Sequence, residues 1–357
     1  MNRHRLAETP IWAYPKEDPA WKKEIIDEFN IHPVTAQVLV SRGFDDIDTV
    51  HDFLYAKLPD LHDPDLFFDM DKAVKRVLEA LQRKEKILIY GDNDVDGITG
   101  ATLLTEFFEY LGAPVHYYIA NRTSLNQSLM LDAIDDATKN ECTLLITVDC
   151  GITSASEIEK AVQRKIDVII TDHHEPTDRL PHCVATLNPK LINSTYPNRD
   201  ITGVGVAFKL AHAVTNQMLE EGMLSAGKVD LKQYLDLVAL GTVADMASLM
   251  GENRILVRYG LRQLRKTKRI GLAKLCILSE VKLSEITPLE IASKVAPRLN
   301  SLGRIADPNK GVQILLCREP VSAEALAKEL EQHNQERQKI ERKDSDDIDQ
   351  YISKNPD

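Results

Sequence analysis

Acidic side chains and a histidine pair close three short apolar runs in this chain. The run over 86–91 opens into Asp92-Asn93-Asp94-Val95-Asp96-Gly97. The run over 143–148 opens into Asp149-Cys150-Gly151, and the run over 167–171 into Asp172-His173-His174-Glu175. A fourth apolar stretch, 235–244, ends at Asp245. Taken singly, each has an ordinary explanation: an aspartate after a strand caps the next helix, and a histidine pair can sit in a loop. Gathered together, the carboxylates would repel one another and lose solvation unless a cation neutralised them. Carboxylate oxygens with an imidazole suit a hard or borderline divalent ion, Mn²⁺ or Mg²⁺, better than a thiolate-seeking one. Two such ions side by side would clamp the attacking and leaving oxygens of a phosphoryl displacement and acidify a water between them.

For these groups to meet, the elements that carry them must end at one edge. The segments KILIYG (86–91), PVHYYIA (114–120), TLLITV (143–148), DVIIT (167–171) and CVATLN (183–188) alternate with amphipathic helical patterns. Short apolar strands in that alternation read as βαβ units forming a parallel sheet buried on both faces. Ligands of such sheets bind beyond the carboxyl ends of the strands. The expected fold is therefore α/β: a parallel β-sheet flanked by helices, then a mostly helical segment and a long connector helix. Residues 1–70, broken by Pro10, Pro15, Pro19, Pro33, Pro59 and Pro64, read as a small region of helices and loops. Residues 71–250 read as the sheet domain and 251–357 as helical, ending in a polar helix from about 322 to 351 with no Pro or Gly inside it.

The 357 residues, 43% of them hydrophobic, have room for two or three packed units. No run approaches the ~20 apolar residues that span a bilayer. The opening MNRHRLAETPIW has no apolar stretch of the kind a secretory signal carries. Five cysteines, at 142, 150, 183, 276 and 317, fall at no zinc-ribbon spacing and suit reduced thiols. These features point to a cytoplasmic protein without membrane association. A net charge of −11 argues against a polycation that coats nucleic acid, yet 258–274 carry seven Lys or Arg and no acid. That segment is either a solvated helix face or a track for phosphates.

Asp94-Val95-Asp96-Gly97 invites comparison with the Asp-x-Asp-Gly signature of haloacid dehalogenase-type phosphatases. There the nucleophilic aspartate follows its strand directly, a place held here by Asp92, and the Asp-His-His element has no part in that scheme. The ordered set 92–97, 148–151, 172–174 and 243–245 instead resembles the four successive motifs of the DHH phosphoesterases. The stretch Ala-Pro-Arg-Leu-Asn-Ser-Leu-Gly-Arg at 296–304 is similar to a motif of RecJ nucleases, as are Ser41-Arg42-Gly43 with Phe53-Leu54, and Gly203 through Phe208. The resemblance runs from about residue 30 to 345 and is closest to chlamydial-type members.

This resemblance implies a single-stranded-DNA-specific 5′-to-3′ exonuclease using two ions, Mn²⁺ or Mg²⁺, in DNA repair and recombination. A helicase and a single-strand binding protein are the candidate partners beside single-stranded DNA. By motif position, Asp92, Asp94, Asp149, His173 and Asp245 would be the metal ligands, with Asp149 the bridge. His174 would face the scissile phosphate, and Asp172 would orient the ligand histidine. Asp96 is the acid the resemblance assigns least firmly. Arg122, Arg298, Asn300 and Arg304 would hold phosphates, guanidinium forks matching phosphate oxygens.

Two departures stand out. RecJ sequences commonly continue from the Asn-Arg pair with Glu-Gly-Tyr-Gly, whereas Thr123 to Ser128 replace it here and alter any grip on the first nucleotide. No glycine follows Gly311, so a second, DHHA1-type lobe with its glycine-rich motif, and an OB-fold, are expected to be absent. A fragment, a split gene, or a nuclease without a second clamp would each give that pattern. It keeps two other functions in view: a phosphoesterase of short oligonucleotides or cyclic dinucleotides, and a non-catalytic relative.

Overall fold

The structure is a computed structural model that describes residues 18–121 and 128–354, with the backbone alone for Arg304 and Ile305. It divides into two compact units, 1–57 and 58–357. In the first, α1 (Pro19–Phe29), α2 (Pro33–Ser41) and α3 (Ile47–Tyr55) pack around Ile25, Ala36, Leu39, Phe44 and Val50. Pro19 and Pro33 start helices rather than break them. At the first helical position the missing N–H is no loss, and Asp18 and His32 cap the turns that follow.

The division falls at residue 57, not 70, because the stretch after it is tied into the larger unit. Lys209 donates to the His62 carbonyl at 2.6 Å, and Glu252 accepts the His62 N–H at 3.0 Å. Residues 251–354 belong to that same unit and form no separate one.

In the larger unit, α4 (Met70–Arg83) leads into an alternation of strands and helices. These are β1 (Ile87–Gly91), α5 (Val95–Tyr110), β2 (Val115–Ile119), α6 (Leu129–Lys139), β3 (Leu144–Val148), α7 (Ala155–Gln163), β4 (Asp167–Thr171) and β5 (Ala185–Leu187). All five strands are parallel, in the order β2-β1-β3-β4-β5. Central β1 and β3 are buried at every position, as their apolar sequences require. Successive side chains leave a strand on opposite faces. Ile87, Ile89, Leu144 and Ile146 join the core shared with α4 and α5, while Leu88, Tyr90 and Leu145 pack on Met130, Ile134 and Ile158 of α6 and α7.

With β2 on one side of β1 and β3 on the other, the strand order reverses between β1 and β3. In doubly wound sheets that switch point opens a crevice at the carboxyl ends. Helices α8 (Gly203–Glu220), α9 (Leu235–Ala244), α10 (Gly251–Leu264) and α11 (Ile270–Leu278) contribute to the core on the α5 side. The chain then runs through α12 (Pro288–Glu290), a π-helical turn (Ile291–Val295), α13 (Ala296–Asn300), α14 (Leu302–Ile305), α15 (Asn309–Leu316) and α16 (Pro320–Lys354). Helix α16 buries Ala323, Ala327, Leu330 and Asn334 at helical spacing. Among the described residues no helix is long and apolar enough to cross a membrane.

Candidate metal centre

Asp92 and Asp94 follow β1, at the switch point. The turn between strand and helix is so tight that a Cβ on Gly97 would lie 2.4 Å from the Asp92 carbonyl oxygen. Asp94 is the cap of α5, its Oδ1 accepting the Gly97 N–H at 3.1 Å. Asp149 follows β3 with φ +62°, a left-handed backbone that favours glycine. Gly203, the first residue of α8, presses against it: a Cβ there would lie 2.5 Å from the Asp149 Cβ. Asp245 caps the carboxyl end of α9. Asp172 and the two histidines follow β4.

Ligand atoms from these elements converge in three overlapping groups, each within 4.8 Å: Asp92, Asp94 and Asp149; Asp149, His173 and His174; and Asp96, His173 and Asp245. Asp149 belongs to two of them. Its Oδ1 lies 2.9 Å from His173 Nε2. Neighbouring ligands on an octahedral ion with bonds near 2.1 Å are about 3 Å apart, so this pair has the spacing of two donors to one ion. The donors are oxygens and imidazole nitrogens with no thiolate among them, a set that fits Mn²⁺ or Mg²⁺.

The electrostatics agree with an ion-binding cluster. Burial, then the charges of Asp96 and Asp94, push the Asp149 carboxyl well above the usual range. Burial and Asp94 raise Asp245 to about 6. Burial and then His174 lower His173 to about 4, which keeps it neutral and able to ligate at pH 7. For Asp172, burial opposes the charge, but bonds from His174 and the Ile152 N–H prevail and the carboxyl is held below its ordinary value.

The structure gives several of these residues partners that the sequence does not show. The ring that Asp172 holds is that of His174, not of His173. Its Oδ1 accepts from the His174 N–H at 3.0 Å and meets His174 Nδ1 at 2.7 Å. An ionised carboxylate can only accept, so Nδ1 carries the proton. Asp96 is buried, and its carboxylate takes the N–H groups of Gly203 (2.7 Å) and Val204 (2.9 Å), which makes it a cap for α8 as well as a neighbour of His173. Arg298 is engaged by Glu331 at 2.5 Å and by the Lys294 carbonyl. The Asn300 carbonyl oxygen accepts the Val95 N–H at 3.0 Å. Arg122, the altered loop over 123–127 and the side chain of Arg304 lie outside the described residues.

Sequence reasoning missed two residues after β5. Asn188 donates to the His174 carbonyl at 3.0 Å and accepts the Lys190 N–H at 2.8 Å. Lys190, paired with Glu175 at 3.2 Å, places a positive charge that lowers both Asp245 and His173. Their signal was position: they end the fifth strand at the same sheet edge as the acids.

Residues 86–242 match the DHH family, N-terminal domain. The single-stranded-DNA-specific exonuclease RecJ of Bacillus subtilis is 37% identical over 342 residues, 96% of this chain and 42% of that protein. The crystal structure of RecJ from Thermus thermophilus in complex with Mn²⁺ superposes with a TM-score of 0.76 at 30% identity, covering 92% of this chain and 46% of the other. A second crystal structure, of an exonuclease RecJ bound to manganese, gives 0.69 at 32% identity over 77% of this chain and 68% of that one. The chain belongs to the RecJ family. It spans about half the length of the curated RecJ relatives it matches. The α/β fold expected from the strand pattern is the RecJ fold, and the stretch 296–304 that resembled RecJ sequences sits against the 92–95 turn as α13 and α14.

Proposed function

We propose that this chain is the catalytic portion of a metal-dependent exonuclease that hydrolyses single-stranded DNA from its 5′ end. The observation that carries the reading is the sharing of Asp149 between two ligand groups at the switch point of a RecJ-family sheet. Asp92, Asp94, Asp149, His173 and Asp245 are the proposed ligands of two Mn²⁺ or Mg²⁺ ions. Bound there, the ions would neutralise charge on the phosphate and lower the pKa of water. The chain's own contribution is positional. Asp172 fixes the His174 ring by Nδ1, which leaves Nε2 for the scissile phosphate. The bond from Asp172 also raises His174, favouring the protonated ring that stabilises negative charge or supplies a proton to the leaving oxygen. Lys190 adds a positive charge that acts on His173 and Asp245, and Arg122 and Arg304 keep the phosphate-holding role on motif position alone.

The biological setting proposed is cytoplasmic DNA repair and recombination, with a helicase and a single-strand binding protein as the partner classes that expose and present single strands. Incubation with Mn²⁺ and a 5′-phosphorylated single-stranded oligonucleotide tests the activity. Stepwise release of mononucleotides from the 5′ end is expected. Mn²⁺ bound in full with no release from single strands would overturn it.

A further inference from the structure

The stretch 296–304 resembled a DNA-contacting motif, and its described polar side chains also make contacts within the protein. Asn300 reaches across 205 positions to accept the Val95 N–H at 3.0 Å. Three residues later Gly303 lies against Asn93 so closely that a Cβ would sit 2.4 Å from the Asn93 carbonyl oxygen and 3.1 Å from its Cβ. Asn93 and Val95 are the residues on either side of Asp94, and Asn93 is itself buried. One short segment therefore grips both flanks of the acidic turn. Val95 also begins α5, where the first N–H groups have no partner within the helix. Asp94 satisfies the N–H of Gly97, and Asn300 satisfies that of Val95. The segment is in turn anchored on its far side by Arg298, bound to Glu331 of α16 at 2.5 Å.

We propose that Asn300 and Gly303 are positioning residues that hold the 92–94 turn in its ion-binding geometry. The Asn300 oxygen accepts a backbone N–H that begins α5 and has no partner within that helix. The acids it braces, Asp92 and Asp94, face Asp149 and repel it when no cation is present, so a turn braced from outside keeps the ligands together before the ion arrives.

This inference rests on the reading of Asp92 and Asp94 as metal ligands, and the test separates the two. Mn²⁺ affinity is measured by calorimetry without DNA for the wild-type chain, Asn300→Ala and Asn300→Asp, with a thermal melt of each. Asn300→Asp keeps an acceptor oxygen in place, whereas Asn300→Ala removes it. The expected result is an affinity about 10- to 100-fold weaker for Asn300→Ala, the size typical of lost support behind a ligand, and near wild type for Asn300→Asp. If Asn300→Ala does not fold, the Asp variant decides: Mn²⁺ affinity weakened tenfold or more in Asn300→Asp, with a wild-type melt and an acceptor oxygen retained, overturns the proposal. Wild-type Mn²⁺ affinity in Asn300→Ala overturns it alone, whereas a wild-type chain that binds no Mn²⁺ overturns the ligand reading as well.

Discussion

Asp172 holds His174 twice with one oxygen, through the backbone N–H at 3.0 Å and through ring Nδ1 at 2.7 Å. The neighbouring ring of His173 turns the other way, to Asp149. The two adjacent imidazoles are shifted in opposite directions, His173 by burial and the neighbouring His174, and His174 by its bond to Asp172. One is lowered to about 4 and the other is raised.

The first prediction concerns that pair. Asp172→Asn removes the bond that raises His174, so its pKa falls and the ring loses its proton at lower pH. The alkaline limb of the pH–kcat profile should move to lower pH, and kcat should drop about 10- to 100-fold. Mn²⁺ affinity should change less than kcat, because His173 and not His174 is among the proposed ligands. An unmoved alkaline limb would exclude a proton-carrying role for His174.

A second prediction is the pH dependence of metal binding. Protons and cations compete for the same carboxylates. Asp245, raised to about 6, is mostly protonated below that pH, and Asp149 is raised as well. Mn²⁺ affinity should therefore climb as pH rises from 5 to 7. Asp245→Asn should remove part of that climb along with part of the affinity. A flat profile across the same range, measured by calorimetry, would show that these acids do not titrate with the ion.

Close packing supplies the third. Gly203→Ala would drive a methyl group to within 2.5 Å of the Asp149 Cβ and 2.8 Å of its Cα. Overpacking of this kind costs about 1–3 kcal/mol, and here the displaced residue is the shared ligand. A lower melting temperature and weakened Mn²⁺ binding should appear together. Wild-type values of both would mean that the α8 start yields without disturbing Asp149.

The sheet and its acids were readable from sequence because each central strand is apolar throughout and each ends in a carboxylate. Period and position alone place Asp92, Asp149 and Asp172 at one edge. The partners of individual side chains were not readable. Asp96 looks like one more acid of the turn, but its carboxylate is committed to N–H groups of Gly203 and Val204, which only the packing of α8 brings near. Arg298 and Asn300 have the chemistry of phosphate binders and of structural ties alike. The partners they meet across the fold, Glu331 and Val95, cannot be read from the residue types. Likewise, the prolines of the first unit mark helix starts once Asp18 and His32 are seen to cap the first turns.

In the proposed centre Asp149 is shared by two adjacent ion sites. Calorimetric titration with Mn²⁺ of the wild-type chain beside Asp149→Ala tests it most directly. The account predicts two ions bound by the wild type and weakened binding at both sites in the variant, with single-stranded DNA hydrolysis abolished. Two ions bound by Asp149→Ala at wild-type affinity, with hydrolysis intact, would contradict it.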